Sequence, residues 1–334
     1  MSGRREWLAA LYAAGVTPAS YLPDAGVGRV SEPDEMPGAG VRLVEDPELR
    51  VHPIAPGGPP AGGGAAFLDG IQQWRVVGYD GVQPIAVAYV AAAVRRRGPD
   101  GRLGTVDSAA RTLLIAPRGV LHDERRRDIA AAGLEVVPVD ESAMAQPGQV
   151  LETLRREVHR ARQALEKSLG ERALTRLADE EWLVVDGQLS ISALLARHPR
   201  ALGVIKSHGA QFLDGRHLER ALTVPASHRT SVFRVLGGHG RTEVDSWYLR
   251  LWPWEGNDLH YGLLRIEARA HPDSVAGASS VSGWLLAERA PLAAPDARFD
   301  RLLYPIHDVE TYLRTRVPRD LMSSPASRLP RTGT

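Results

Sequence analysis

Two short segments of the chain carry an aspartate out of an apolar run and follow it at once with glycine: Phe67-Leu68-Asp69-Gly70 and Val184-Val185-Asp186-Gly187. An apolar run of this length bounded by glycine reads as a strand, so each aspartate is expected at a strand end. Glycine removes a Cβ beside the carboxylate and permits backbone angles that other residues avoid. Side by side in one sheet, two such strand ends would bring two carboxylates within reach of one divalent cation. Mn2+, or Mg2+, prefers such hard oxygen ligands and completes its shell with water. The plainer reading of Asp-Gly is a hairpin turn. Asp80-Gly81, lying between two apolar runs, reads as such a turn.

A third carboxylate is expected from the helix between these strands, where Glu152, Glu157 and Glu166 compete. Glu157 lies beside the apolar face formed by Leu154, Val158 and Ala161 and can point sideways toward a sheet edge, whereas Glu152 and Glu166 read as facing solvent. Lys206 follows the strand Leu202–Ile205 and is one of only two lysines in an arginine-rich chain. It is suited to contacting a phosphate or orienting a water, although a plain solvated lysine is an equally good reading.

The elements that must position these residues follow from periodicity and punctuation. Residues 1–64 read as an irregular arm: a short helix near 4–14, then a Pro/Gly-rich stretch ending in Gly62-Gly63-Gly64, with few side chains able to fill a core. Strands are expected at 65–68, 74–79, 84–94, 111–116 and 134–139. A helix is expected at 123–132, and a long one over 149–178, broken near Gly170. A strand at 181–185, a helix at 190–196 and a strand at 201–205 follow. Beyond Lys206 the pattern predicts a helix at 217–222, strands at 231–235, 247–252 and 263–268, and helices at 280–287 and 309–314. The tail from Ser323 reads as disordered. This order is a mixed-sheet α/β pattern rather than regular βαβ alternation.

Composition removes several classes. The 334 residues hold no cysteine, which excludes disulfides, thiolate nucleophiles and Cys-based metal sites. With 41 basic and 40 acidic side chains the net charge is +1, giving no global argument for or against nucleic acid. No Walker A loop, dinucleotide fingerprint, Gly-x-Ser-x-Gly elbow or basic helix-turn-helix is present. No apolar run approaches bilayer length, and Glu6 and Trp7 sit where a signal peptide's apolar region would begin. A cytoplasmic protein is expected.

The same residues carry a family resemblance. Phe67-Leu68-Asp69-Gly70, then Leu183-Val184-Val185-Asp186-Gly187-Gln188-Leu189, then Gly203-Val204-Ile205-Lys206-Ser207 resemble the succession in NurA-type nucleases. Trp247-Tyr248-Leu249-Arg250-Leu251, Leu263-Leu264-Arg265-Ile266-Glu267 and Tyr304-Pro305-Ile306 resemble that family's C-terminal half. The likeness covers residues 65–315 and leaves the arm and the tail from 316 unexplained. It implies an RNase H-like core with additional C-terminal strands and helices, Mn2+-dependent degradation of DNA in end processing or repair, homodimers, and partnership with a HerA-type hexameric ATPase. It also implies metal ligation by Asp69 and Asp186 and by a helix glutamate, most plainly Glu157 with Glu166 open. A residue after Tyr-Pro, for which His307, Asp308 and Glu310 compete, completes that set. Ile71 departs from the serine common in the family after its first Asp-Gly.

On that reading Lys206 offsets phosphate charge and His307 ligates metal or relays a proton. Tyr248, Arg250 and Trp252 share a strand face that would stack on bases and pair with phosphate, unless they are core. Four of the seven tryptophans lie between 247 and 284, which suggests an apolar surface suited to a two-fold interface around Trp254. The rival reading is a catalytically silent DNA-binding or scaffold subunit of an ATPase complex.

Overall fold

A computed structural model of the chain describes residues 6–13, 15–21, 40–60, 63–120, 127, 129, 134–140, 147–206, 212–237, 240–291 and 300–318. A mixed sheet of thirteen strands runs through it. The strands are β1 (Thr17–Tyr21), β2 (Val41–Leu43), β3 (Val51–Pro53), β4 (Ala65–Asp80), β5 (Gln83–Arg97), β6 (Leu103–Pro117), β7 (Glu135–Val139), β8 (Trp182–Asp186), β9 (Ala201–Ile205), β10 (His228–Thr230), β11 (Phe233–Val235), β12 (Val244–Arg250) and β13 (Leu263–Arg269). The main path across it is β2-β11-β12-β13-β9-β8-β4-β5-β6-β7. At the centre, β4, β5 and β6 form long antiparallel hairpins, and β8 and β9 add in parallel on the other side of β4.

Helices cover both faces: α1 (Glu6–Ala13), α2 (Pro147–Ala173), α3 (Ala193–Arg197), α4 (Gly215–Leu222), α5 (Pro272–Ala287) and α6 (Tyr304–Arg314). Helix α2 lays Val150, Leu154, Val158, Leu165 and Leu169 on the face that carries Ala66, Leu68 and Trp74 of β4. The opposite face, with Phe67 and Ile71, packs against Trp284 and Leu285 of α5 and Ile306 and Val309 of α6. Both faces of β4 and β5 are therefore covered. This explains how the alanine-rich β5 forms a strand: burial between two strands and two helix layers outweighs the helical preference of Ala86, Ala88 and Ala91 to Ala93.

Several expectations change. The two strands expected at 65–68 and 74–79 are one strand, so Asp69 lies inside β4 rather than at its end, because fourteen register positions opposite β5 hold the backbone extended through Gly70. Helix α2 continues through Gly170, where a side chain would press on Leu195 at 3.1 Å. The arm is not merely irregular: Trp7, Leu11 and Val16 pack against Val77, Ile85 and Val87, while β1, β2 and β3 pair with β4, β11 and β10. The expected turn at Asp80-Gly81 joins β4 to β5, with Gly81 at φ 58°. The tail from Ser323 and most of the helix expected at 123–132 lie outside the described residues. No helix among the described residues is long and apolar enough to cross a membrane.

Candidate functional site

Strand register builds the site. In the parallel pair β4–β8, Leu68 stands level with Val185, which sets Asp69 and Asp186 at adjoining positions of neighbouring strands. Asp186 in turn stands level with Val204 of β9, and Lys206 follows two residues on, on the same face by the two-residue strand period. The Lys206 Nζ donates to Asp186 Oδ2 at 2.8 Å, with 26% of the lysine side chain exposed. Asp69 is buried, and its Oδ1 accepts the N–H of Gly70 at 2.7 Å.

The helix carboxylate brought to this place is Glu166. Its side chain lies over Gly70, where an added Cβ would stand 2.9 Å from Glu166 Cγ and Cδ. Arg162, one turn earlier, donates to Glu166 Oε1 at 2.7 Å and to Gln72 Oε1 of β4 at 3.2 Å. Glu157 is not at the site. Nine residues separate it from Glu166, two and a half helical turns, so it leaves α2 from the opposite side, about 13 Å away along the axis, and it pairs with Arg160 at 2.6 Å. Glu152 pairs with Arg155 at 2.8 Å. The solvent-facing reading of Glu166 is thus overturned, because the helix turns that face onto the sheet beside a residue without a side chain.

Burial pushes the Asp69 carboxyl well above the usual range, and the charge of Asp186, with that of Glu166, pushes the same way against the opposing Lys206 and Arg162. For Lys206, burial opposes the charged form. The charges of Asp186 and Asp69, the hydrogen bond to Asp186 and the charge of Glu310 outweigh it and hold the ammonium above an ordinary lysine. Of the three C-terminal competitors, Glu310 of α6 is therefore the one whose charge reaches the site. Asp308 pairs with Arg95. His307 is 42% exposed, its Nδ1 4.0 Å from Glu310 Oε2.

This donor set is of the hard-oxygen kind that a divalent cation prefers, drawn from both faces of β4. It offers carboxylate oxygens from adjoining strands and a third from the helix, and it includes a buried carboxyl whose surroundings disfavour its negative charge until more positive charge arrives. The three carboxylates do not converge as closely as Glu45, Asp46 and His52, whose ligating atoms lie within 4.8 Å of one another. That second cluster is committed to the fold. Arg229 holds both oxygens of Glu45 at 2.7 and 2.8 Å, and Ser231 donates to Asp46 at 2.7 Å, pinning the arm to β10.

The expected DNA-facing strip is core. Tyr248 is buried and stacked on Phe233 at 5.9 Å. Arg250 is fully buried, its guanidinium donating to the carbonyls of Val224, Leu222, Leu259 and Tyr261. Trp252 is half-buried beneath the Arg289 guanidinium at 3.9 Å. Trp247 and Trp284 are internal, and Trp254 is half-buried.

The freedom expected of the glycine after Asp186 is used, while two further supports, Gly203 and Glu267, escaped the sequence reading. Gly187 adopts φ 142°, and its carbonyl passes 2.6 Å from where a Cβ on Gly203 would stand, so both glycines are needed for the turn after Asp186. Glu267 of β13, buried, accepts the N–H of Leu189 at 2.8 Å and of Ser190 at 3.3 Å, and Arg265 holds its other oxygen at 2.7 Å. Only Glu267's place in a strand beside β9 could have hinted at this. No protein-family model matches the chain, and no curated protein matches it.

Proposed function

We propose that this protein is a metal-dependent DNA nuclease with an RNase H-like core, acting at Asp69, Asp186 and Glu166. The observation that carries the reading is the adjoining placement of Asp69 and Asp186 on parallel strands, with the Lys206 ammonium 2.8 Å from Asp186 and Glu166 lying over Gly70. The strand path β6-β5-β4-β8-β9, antiparallel up to β4 and parallel beyond it, with α2 joining the two halves, supports an RNase H-like core. The resemblance to NurA-type nucleases supports DNA as substrate, Mn2+ as the ion (Mg2+ as a substitute), a homodimer, and a HerA-type ATPase as partner.

A divalent cation supplies Lewis acidity and an activated water when bound at such carboxylates. Asp69, Asp186 and Glu166 would hold it, and Glu267 keeps the turn after Asp186 in place. Lys206 presents fixed positive charge to a phosphodiester. Glu310, with His307 beside it at the solvent boundary, is positioned to take or return a proton.

The test is incubation of the purified protein, alone and with its cognate ATPase, with linear duplex and single-stranded DNA in Mn2+. Cleavage that disappears in Asp69→Asn and Asp186→Asn is expected. Mn2+ binding without cleavage in any combination would favour the second reading, a silent DNA-binding subunit. One observation favours that alternative: an oxygen of Asp186 is already engaged by Lys206.

A further inference from the structure

We infer that Arg301 is the positioning residue of Lys206: its guanidinium holds the backbone just past β9, so the ammonium keeps its place beside Asp186. This rests on the reading above, in which Lys206 serves the phosphodiester, and adds the residue that fixes it there. Strand pairing does not reach so far. The last register pairs of β9 are Val204 with Asp186 of β8 and Ile205 with Arg265 of β13. Lys206 lies beyond both ladders, and Arg301 Nη1 donates to its carbonyl at 2.9 Å.

Arg301 is itself firmly mounted. It is 9% exposed, and its Nε lies 3.4 Å from Asp300 Oδ2. The same oxygen accepts the N–H of Gly262 at 2.7 Å, in the connection between β12 and β13. Gly262, at φ 66°, has no room for a Cβ, which would stand 2.9 Å from the Trp252 nitrogen. On the other side of Arg301, the Leu302 carbonyl accepts from Ala290 at 2.9 Å and the Tyr304 N–H donates to Glu288 at 2.8 Å, just past α5. Tyr304 opens α6, so the clamp also ties Lys206 to the helix that carries Glu310.

The ammonium alone is poorly held. Its bond goes to Asp186 Oδ2, and a cation arriving at Asp186 draws on the same carboxylate. A flexible lysine stem then needs a fixed base. The Arg301 bond to the backbone does not involve Asp186 and survives that exchange.

Lys167 and Lys206 are the only lysines, so 13C-lysine labelling of the full chain gives two ε-methylene signals, and Lys167→Arg tells them apart. Without DNA or metal, the Lys206 signal should move toward the free-lysine position in Arg301→Gln and Arg301→Met, while that of Lys167 stays. Arg301→Lys, which keeps a donor, should recover part of the loss. Thermal melting checks that each variant folds. An unmoved Lys206 signal in both folded neutral variants, or equal changes at the two lysines, would overturn the inference. In Mn2+-dependent cleavage, Arg301→Gln should lower kcat by about 10-fold, as residues that orient a working group do, and should add nothing in a Lys206→Ala background. An additive loss there would also overturn it. No cleavage by the wild type, with the Lys206 signal moving as expected, would defeat the nuclease proposal and leave the clamp standing. Cleavage with an unmoved signal would do the reverse.

Discussion

Glu166 occupies the space that a side chain on Gly70 would need, its Cγ and Cδ 2.9 Å from the position of such a Cβ. The glycine after Asp69 is therefore a condition for bringing the helix carboxylate to the strand aspartate, and not a turn signal.

Gly70→Ala should displace Glu166 and strain β4, with a stability loss of about 1–3 kcal/mol, as for other overpacked sites. Mn2+ affinity should drop while the chain still folds. Urea unfolding and Mn2+ calorimetry on the same preparation check both parts, and unchanged Mn2+ affinity would detach Glu166 from the site.

Glu166→Gln and Glu157→Gln separate the two helix carboxylates. Loss of the first should lower Mn2+-dependent cleavage by at least the about 10–100-fold typical of residues that merely orient a metal's ligands. Glu157→Gln removes only a surface pair with Arg160 and should leave the rate within about twofold. Equal effects in a steady-state cleavage assay would count against this assignment.

Asp69→Asn should be more stable than the wild type in EDTA at neutral pH. The folded chain holds the Asp69 proton more tightly than the unfolded chain does, because burial and the Asp186 charge disfavour ionisation. Stability of the wild type therefore falls as pH rises from the ordinary carboxylate range, about 4, through the raised value. Asparagine has no such proton. Melting temperatures compared across pH should show a gap that widens upward from about pH 4, and a gap independent of pH would refute the buried, destabilised carboxylate.

Glu267→Ala removes the acceptor for the turn after Asp186 and leaves Arg265 buried without its carboxylate. Breaking such a buried pair from one side is expected to lower stability by about 3–5 kcal/mol. Glu267→Gln, which keeps an acceptor for Leu189, should lose less, and denaturant midpoints for the two variants decide the order.

For assembly, light scattering coupled to gel filtration should give about twice the 36.2 kDa chain mass if the proposed homodimer forms. Trp254, half-buried in the apolar C-terminal half, is the residue whose replacement by alanine should weaken that dimer without unfolding the chain. A monomer mass at micromolar concentration would end the proposal.

Local pattern alone determined the mixed α/β class, most of the strands from β5 onward, and the strand end at Asp186-Gly187, because strand periodicity, apolar runs and glycine act over a few residues. It could not show that β4 runs unbroken through Asp69. That depends on the register with β5, set by residues twenty or more positions away. Nor could it choose between Glu157 and Glu166. Both lie on a helix whose orientation is decided by how Val150 to Leu169 seat on the sheet, and a half-turn of phase sends one glutamate to Gly70 and the other to a half-buried pair with Arg160. The strip of Tyr248, Arg250 and Trp252 has the composition of a nucleic-acid surface. Only packing revealed that Arg250 spends its donors on four buried carbonyls instead, because a buried guanidinium is tolerated where its N–H groups are satisfied.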